Sequence, residues 1–232
     1  MKNYCAATLI LSIMFLGIKT VSFAQESHSG GMVQAIEKEL EDGKSKLTKL
    51  ISAPNNDFPL DASMETLKEV LAIATQRAIT LSEWDIEKIK TDAENTYDTI
   101  IISIENYLEL VKDDGVVNRA TIKIQNVAFS SEHEYREQAN STSNERESKS
   151  YNELADLMNV NAKKVNEIWT AIRDERGVVK ETLALLKGSK ALYIARKKAA
   201  GVENAVKELE AIHGDLVKMA DAMKNIHEAI LR

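Results

Sequence analysis

Histidine and carboxylate side chains are the groups in this chain that could bind a metal or transfer a proton. The four histidines are His28, His133, His213 and His227. His213 and His227 lie about 21 Å apart if they share one helix, so they cannot bind one ion. A helical zinc site needs two histidines four residues apart, and a helical di-metal site needs inward-facing Glu-x-x-His pairs. The one Glu-x-x-His spacing is Glu210–His213. We therefore interpret the four histidines as surface groups and predict no metal site and no cofactor.

The acidic residues, glycines and serines also lack the spacing of a catalytic site. Glu37, Glu39, Glu41 and Asp42 form one acidic run, which is typical of a solvated helix face. The glycines form no phosphate-binding loop, and no serine lies in a nucleophile elbow. The sequence therefore predicts no catalytic residues, and a protein that is not an enzyme.

Two tryptophans, Trp84 and Trp169, lie on or beside stripes of apolar residues. Aromatic residues make up only 5% of the chain, so each large ring matters to the packing. We interpret both as core side chains at places where helices meet. The alternative is that they anchor a partner protein, since tryptophan is frequent among the residues that dominate binding energy.

Residues 1–24 have the features of a secretory signal peptide. A positively charged start is followed by a mostly apolar run at residues 6–18, and Ser22 and Ala24 are the small residues before a cleavage site. The apolar run is shorter than the roughly 20 residues that span a bilayer. Cys5, the single cysteine, precedes this run, so it is not placed to carry a lipid anchor. We predict that the segment is removed and that the protein is exported to the periplasm, the outer membrane or cell surface, or the medium.

Charge and cysteine content limit the classes of partner. The net charge is −6, and removal of the signal segment takes away Lys2 and Lys19 and no acid, so the mature chain carries −8. Nucleic-acid-binding proteins usually present a basic surface, so we predict no nucleic-acid partner. The mature chain has no cysteine. It must therefore be stable without disulfides, through packing alone.

Apolar residues spaced by three and four predict an all-α fold. The last stripe is the clearest, with alternating steps of four and three from Ala205 to Ile230. Similar stripes run from Met64 to Leu81 and from Met158 to Leu186. We predict an elongated helical bundle with coiled-coil-like packing.

The stripes divide the chain into five predicted units. In order, these are a removed signal peptide (1–24), a flexible leader (25–31), an N-terminal helical region (32–129), a polar linker (130–150) and a C-terminal helical region (151–232). Within the linker only Tyr135 and Ala139 are apolar. Such a segment cannot bury enough surface to offset its ordering entropy, although a solvent-facing helix is the alternative. Gly188 and Gly201 are predicted to interrupt the helices that follow.

Residues 148–232 contain short helical segments that follow serine and glutamate repeats. These repeats, with Glu167-Ile168-Trp169-Thr170-Ala171 and Val179-Lys180-Glu181-Thr182-Leu183 after them, look like outer surface protein D, one of the plasmid-encoded helical antigens of Borrelia spirochaetes. Ala195-Arg196-Lys197-Lys198 and Asp215-Leu216-Val217-Lys218 look like the outer-membrane-spanning porin-like protein of the same group. The resemblance covers about a third of the chain. It implies an exported surface or periplasmic antigen at host or vector interfaces, and it carries over no site residue.

These observations predict an exported, non-enzymatic helical protein that binds another protein, either of a host or vector or a second copy of itself. The alternative is a porin-like or membrane-active protein associated with the outer membrane. The most apolar stretch of the mature chain, residues 99–111, includes Glu105 and Glu109, which disfavours a spanning helix.

The exported protein is expected to begin at Gln25 and to carry no lipid, because Ser22 and Ala24 define the cleavage site and Cys5 leaves with the signal peptide. Intact mass spectrometry of the exported protein measures this directly. A mass that includes residues 1–24 or an acyl chain would contradict the prediction.

Overall fold

The structure is a computed structural model, and it describes residues 29–55, 58–82, 93–205 and 207–232. In chain order the helices are α1 (Ser29–Ser52), α2 (Leu60–Ser82), α3 (Ala93–Leu110), α4 (Val116–Ser141), α5 (Glu145–Ala200), the short α6 (Val202–Ala205) and α7 (Lys207–Leu231). These ranges contain no strand, so the predicted all-α fold is confirmed. Coiled-coil-like packing stays a prediction. None of the described helices combines the length and apolarity needed to cross a bilayer.

Helix α5 is the axis of the bundle. It has 56 residues, which corresponds to about 84 Å at helical rise. Helix α4 runs antiparallel along its first half, where Gln125 contacts Asn166. Helices α3 and α7 run antiparallel along its second half. The bond from Arg176 Nη1 to the Val111 carbonyl, 3.1 Å long, fixes α3 at one end of this contact.

One apolar core joins the predicted N-terminal and C-terminal helical regions. Tyr107 of α3 and Leu67 of α2 are buried in the same cluster as Ile172 of α5 and Leu216 of α7. Helix α2 packs directly against α7. The regions 32–129 and 151–232 are therefore two parts of one folded unit.

The last helix buries the stripe that its spacing predicts. The described side chains on this stripe are all buried, namely Ala205, Ile212, Leu216, Met219, Met223, Ile226 and Ile230. Leu209 belongs to the same stripe, but its side chain lies outside the described residues. Partner helices within the chain cover this stripe, so the helix does not need a second copy to bury it.

The predicted polar linker at 130–150 is wrong. These residues complete α4, turn at Thr142–Asn144 and begin α5. The Asn144 side chain accepts a hydrogen bond from the Arg146 backbone at 3.1 Å, and its amide donates to Glu147 at 3.0 Å. This cap satisfies one backbone donor at the start of α5 and defines where the new helix begins.

Two boundaries also differ from the predictions. Helix α1 begins at Ser29, so the predicted flexible leader is wrong for residues 29–31, while residues 1–28 lie outside the described residues. Helix α5 passes through Gly188 without a break, because packing along both neighbours outweighs the weak helix propensity of one glycine. Gly201 does end the helix, as predicted, with a positive φ of 84° that glycine adopts without strain.

The structure describes one of the two tryptophans, Trp169. Trp169 is half-buried against the core, which confirms the core interpretation for this residue. Trp84 lies outside the described residues.

Helices α2 and α7 meet at a polar contact between Thr75 and His227. Thr75 Oγ1 and His227 Nδ1 are 3.0 Å apart. Thr75 is buried and His227 is half-buried, so the prediction that all four histidines are simple surface groups is wrong for His227. Burial lowers the pKa of His227, because the charged imidazolium loses hydration there.

Substitution of Leu216 by alanine is expected to destabilise the protein by about 2–5 kcal/mol, since it removes a fully buried side chain and leaves a cavity. Urea unfolding followed by circular dichroism measures this change. His213→Ala is the control on the same helix, because His213 is exposed and should change stability little. A Leu216→Ala variant as stable as the parent would show that this stripe is not the core.

Acidification should weaken the α2–α7 contact. The folded-state pKa of His227 lies below the unfolded value of about 6.5, so the unfolded chain takes up the proton first. Its contribution to stability is fully present above about pH 6.5 and is lost as pH falls below that value. His227→Gln should therefore reduce the loss of unfolding free energy between pH 7.5 and 5, measured in urea. The same loss in parent and variant would contradict this role; His213→Gln is the exposed control.

Candidate interaction surface

Within the described ranges, no group of three or more His, Cys, Asp or Glu side chains is placed to hold a metal ion. His133 and His213 are exposed, as predicted, and His133 lies 3.2 Å from Glu137 on the same helix. Glu210, the candidate metal partner of His213, is also exposed. His28 lies outside the described residues.

A buried polar network joins α3, α5 and α7 and is the strongest candidate for hidden chemistry. Ser189 Oγ donates to the Glu208 carbonyl at 2.8 Å, so Tyr97, which lies 2.5 Å from Ser189 Oγ, must be the donor to it. Burial raises the pKa of Tyr97 to about 12, which keeps its hydroxyl protonated at neutral pH. The serine hydrogen is therefore committed to a backbone carbonyl and faces no general base. The network fastens three helices together and does not form a nucleophile.

The protruding part of the α4–α5 hairpin is a stronger candidate for a functional surface than this buried network. We define residues 129–161 as the distal hairpin. Between these limits the fully buried side chains are Ala139 and Ala155, two small residues that let the helices approach closely. Tyr135 and Tyr151 stack across the two helices with their ring centroids 6.5 Å apart. The distal hairpin is thus held together mainly by contacts between its own two arms.

Polar bonds also join the two arms. Arg136 donates to Asn152 at 2.8 Å and to Asp156 at 2.5 Å, and the Ser148 hydroxyl donates to the Ala139 carbonyl at 2.9 Å. These bonds are mostly solvent-accessible and contribute modestly to stability. They fix the register of the arms, and so they fix which side chains the hairpin presents to solvent.

The bundle-facing stripe of α5 continues into the distal hairpin. From Ile172 and Ile168, both buried, steps of three and four lead toward the N-terminus through Val165 and Asn161 to Leu157 and Leu154. Asn161 still contacts α2, with its amide nitrogen 3.5 Å from Asp61. Leu157 is 47% exposed and Leu154 is 36% exposed. The apolar stripe therefore extends one to two turns beyond the helices that cover it.

Other exposed apolar side chains occur near the hairpin base. Phe129 is 52% exposed and borders a shallow groove with Gln125, Ala162 and Asn166. Ile122 lies two turns before it on α4 and is also exposed. They lie on the flank of α5 away from Leu154 and Leu157, as helical periodicity requires.

The sequence did contain a signal for this surface. Leu154 and Leu157 lie three residues apart and in phase with Val165, Ile168 and Ile172. The predicted C-terminal helical region (151–232) already included both leucines, but residue spacing alone does not show whether another helix covers them.

No protein-family model, curated protein or solved structure matches the chain. Its function must therefore be argued from the surface itself.

Proposed function

We propose that the protein is an exported, non-enzymatic helical protein that binds another protein through Leu154 and Leu157 of the distal hairpin. The uncovered continuation of the α5 stripe carries this proposal. Following the resemblance to Borrelia antigens, we place the protein at the cell surface or in the periplasm, with a host or vector protein as the partner.

The geometry favours a helix as the bound element. Where the stripe is covered, at Ile172 and Leu186 for example, the neighbouring elements are helices. An amphipathic helix with apolar residues at positions i, i+3 and i+7 would extend the same packing over Leu154 and Leu157. The hairpin would then become a three-helix bundle along its whole length.

The charge of the hairpin favours a basic partner. Residues 129–161 contain seven acidic and three basic side chains, a net charge of −4. Two of the three basic side chains already have acidic neighbours, Arg136 with Asp156 and Lys149 with Glu153. A partner helix flanked by lysine or arginine would complement the remaining acids and would associate faster at low salt.

The proposal is tested with arrayed host extracellular and serum proteins, against which the mature chain is titrated. Leu154→Gln/Leu157→Gln keeps the hairpin helical but removes its apolar surface, so it should weaken binding of an identified partner by roughly tenfold or more. Leu185→Gln/Leu192→Gln is the matched control, since these leucines are also exposed on α5 but lie outside the hairpin. Circular dichroism must show the same helicity for both variants.

Equal binding by both double variants would show that the distal hairpin is not the partner surface. The alternative function, a porin-like or membrane-active protein, is measured in parallel by dye release from lipid vesicles. Dye release that depends on Leu154 and Leu157 would replace the protein partner with a membrane surface.

A further inference from the structure

The tyrosines of this chain divide into a buried group and an accessible pair. The buried ones are 2% exposed or less, namely Tyr97, Tyr107 and Tyr193. Tyr135 of α4 and Tyr151 of α5 are half-buried, so part of each residue stays in contact with solvent. Among the described residues, a reagent in solution can therefore reach these two tyrosines and not the other three. Both accessible tyrosines lie in the distal hairpin.

The accessible tyrosines are also the pair that stacks across the two arms of the hairpin. Their ring centroids lie 6.5 Å apart, and their ring planes differ by 18°. This separation lies within the range of roughly 4.5–7 Å that is typical of interacting aromatic rings. Each accessible phenol therefore has a second accessible phenol beside it.

Hydrogen bonds between the arms hold the two rings opposite each other. Arg136, the residue after Tyr135, donates to Asn152, the residue after Tyr151, with a donor–acceptor distance of 2.8 Å. One turn closer to the end of the hairpin, the Ser148 hydroxyl donates to the backbone of α4 at 2.9 Å. These bonds fix the register of the arms at the level of the rings. The stacked arrangement is therefore part of the hairpin's structure.

Two phenols held side by side can be coupled by oxidation. A haem peroxidase with hydrogen peroxide removes one electron and one proton from each phenol and leaves two phenoxyl radicals. The radicals combine through a carbon–carbon bond between the ring positions ortho to their oxygens. A proton then moves from each of these carbons to the oxygen of the same ring, which restores both phenols. Two tyrosines and one hydrogen peroxide thus become one dityrosine and two water molecules.

We propose that Tyr135 and Tyr151 are an oxidative modification site, at which hydrogen peroxide and a haem peroxidase form a dityrosine crosslink within the chain. Their fixed proximity favours coupling to each other over coupling to a second copy, because the second reactant is already in place. Tyr97 and Tyr193 lie closer together, with 5.7 Å between their ring centroids. Burial keeps the oxidant away from that pair, so accessibility selects the hairpin.

The crosslink gives the hairpin a covalent bond that cysteine does not supply. The chain has a single cysteine, so no disulfide can join α4 to α5. Dityrosine closes the loop from Tyr135 to Tyr151, which restricts the unfolded states of the hairpin as a disulfide does. Arg146 and Lys149 lie inside this loop, so the arms stay joined after trypsin cuts there. Formation of the bond does not depend on the protein partner proposed above.

The test treats the mature chain with a haem peroxidase and hydrogen peroxide and measures dityrosine by its fluorescence. Trypsin digestion and mass spectrometry then locate the bond, since Tyr135 and Tyr151 fall on separate peptides, 124–136 and 150–163. We expect a monomer that has lost two hydrogen atoms and in which these two peptides are joined. Free tyrosine, oxidised in a parallel reaction, shows that the oxidant is active.

Three variants assign the bond to this pair. Tyr135→Phe and Tyr151→Phe keep an aromatic ring in the stack but remove one phenol, so each should lose the crosslink. Tyr193→Phe is the matched control, because it changes the buried pair, and it should form the crosslink as the parent does. Circular dichroism should show the same helicity for all three.

No dityrosine in the chain under conditions that oxidise free tyrosine would overturn the proposal. A bond between Tyr97 and Tyr193, or bonds formed only between copies, would show that the stacked geometry does not direct the reaction. Crosslinking at the parent level in Tyr135→Phe or Tyr151→Phe would likewise contradict the assignment.

Discussion

The rest of the structure depends on the burial of α5 against three neighbouring helices, α3, α4 and α7. Helix α5 has 56 residues, and most helical stability in proteins comes from packing an apolar face against other elements. The chain has a single cysteine, so no disulfide within the chain assists it. Helix α4 covers the first half of α5, and α3 and α7 cover the second half, so a single rigid axis organises helices that are distant in sequence.

Buried and partly buried polar side chains in this bundle mainly join one helix to another. Tyr97 and Ser189 connect α3 to α5, and the Ser189 hydroxyl continues to the Glu208 carbonyl of α7. Arg176 reaches past the apolar stripe to the carbonyl end of α3, where a cation is favourable beside unpaired carbonyl groups. Asn106 Nδ2 and the Tyr107 hydroxyl of α3 differ from these groups, because neither has a hydrogen-bond partner among the described residues.

The sequence by itself determined the helical class, the buried face of the last helix and the end of α5 at Gly201. Stripes with steps of three and four, and a glycine free to adopt positive φ, are local properties that need no knowledge of neighbours. The sequence also predicted correctly that His133 and His213 are exposed. The Asn144–Glu147 cap is also specified by residues that are close in sequence. The low apolar content of residues 130–150 nevertheless favoured a linker, and that interpretation was wrong.

Only the tertiary structure decided which helices cover each part of α5, and therefore where its stripe is left exposed. Leu154 and Ile168 have the same spacing pattern in sequence, yet one is exposed and the other buried, because covering helices reach only one of them. The contact between His227 and Thr75, which lie 152 residues apart, likewise could not be predicted from residue spacing within one helix. The close approach of Gly43 on α1 to Val70 on α2 is a further contact between two helices that the pattern of neither helix specifies. Long-range packing creates these features, and residue spacing along one helix cannot specify them.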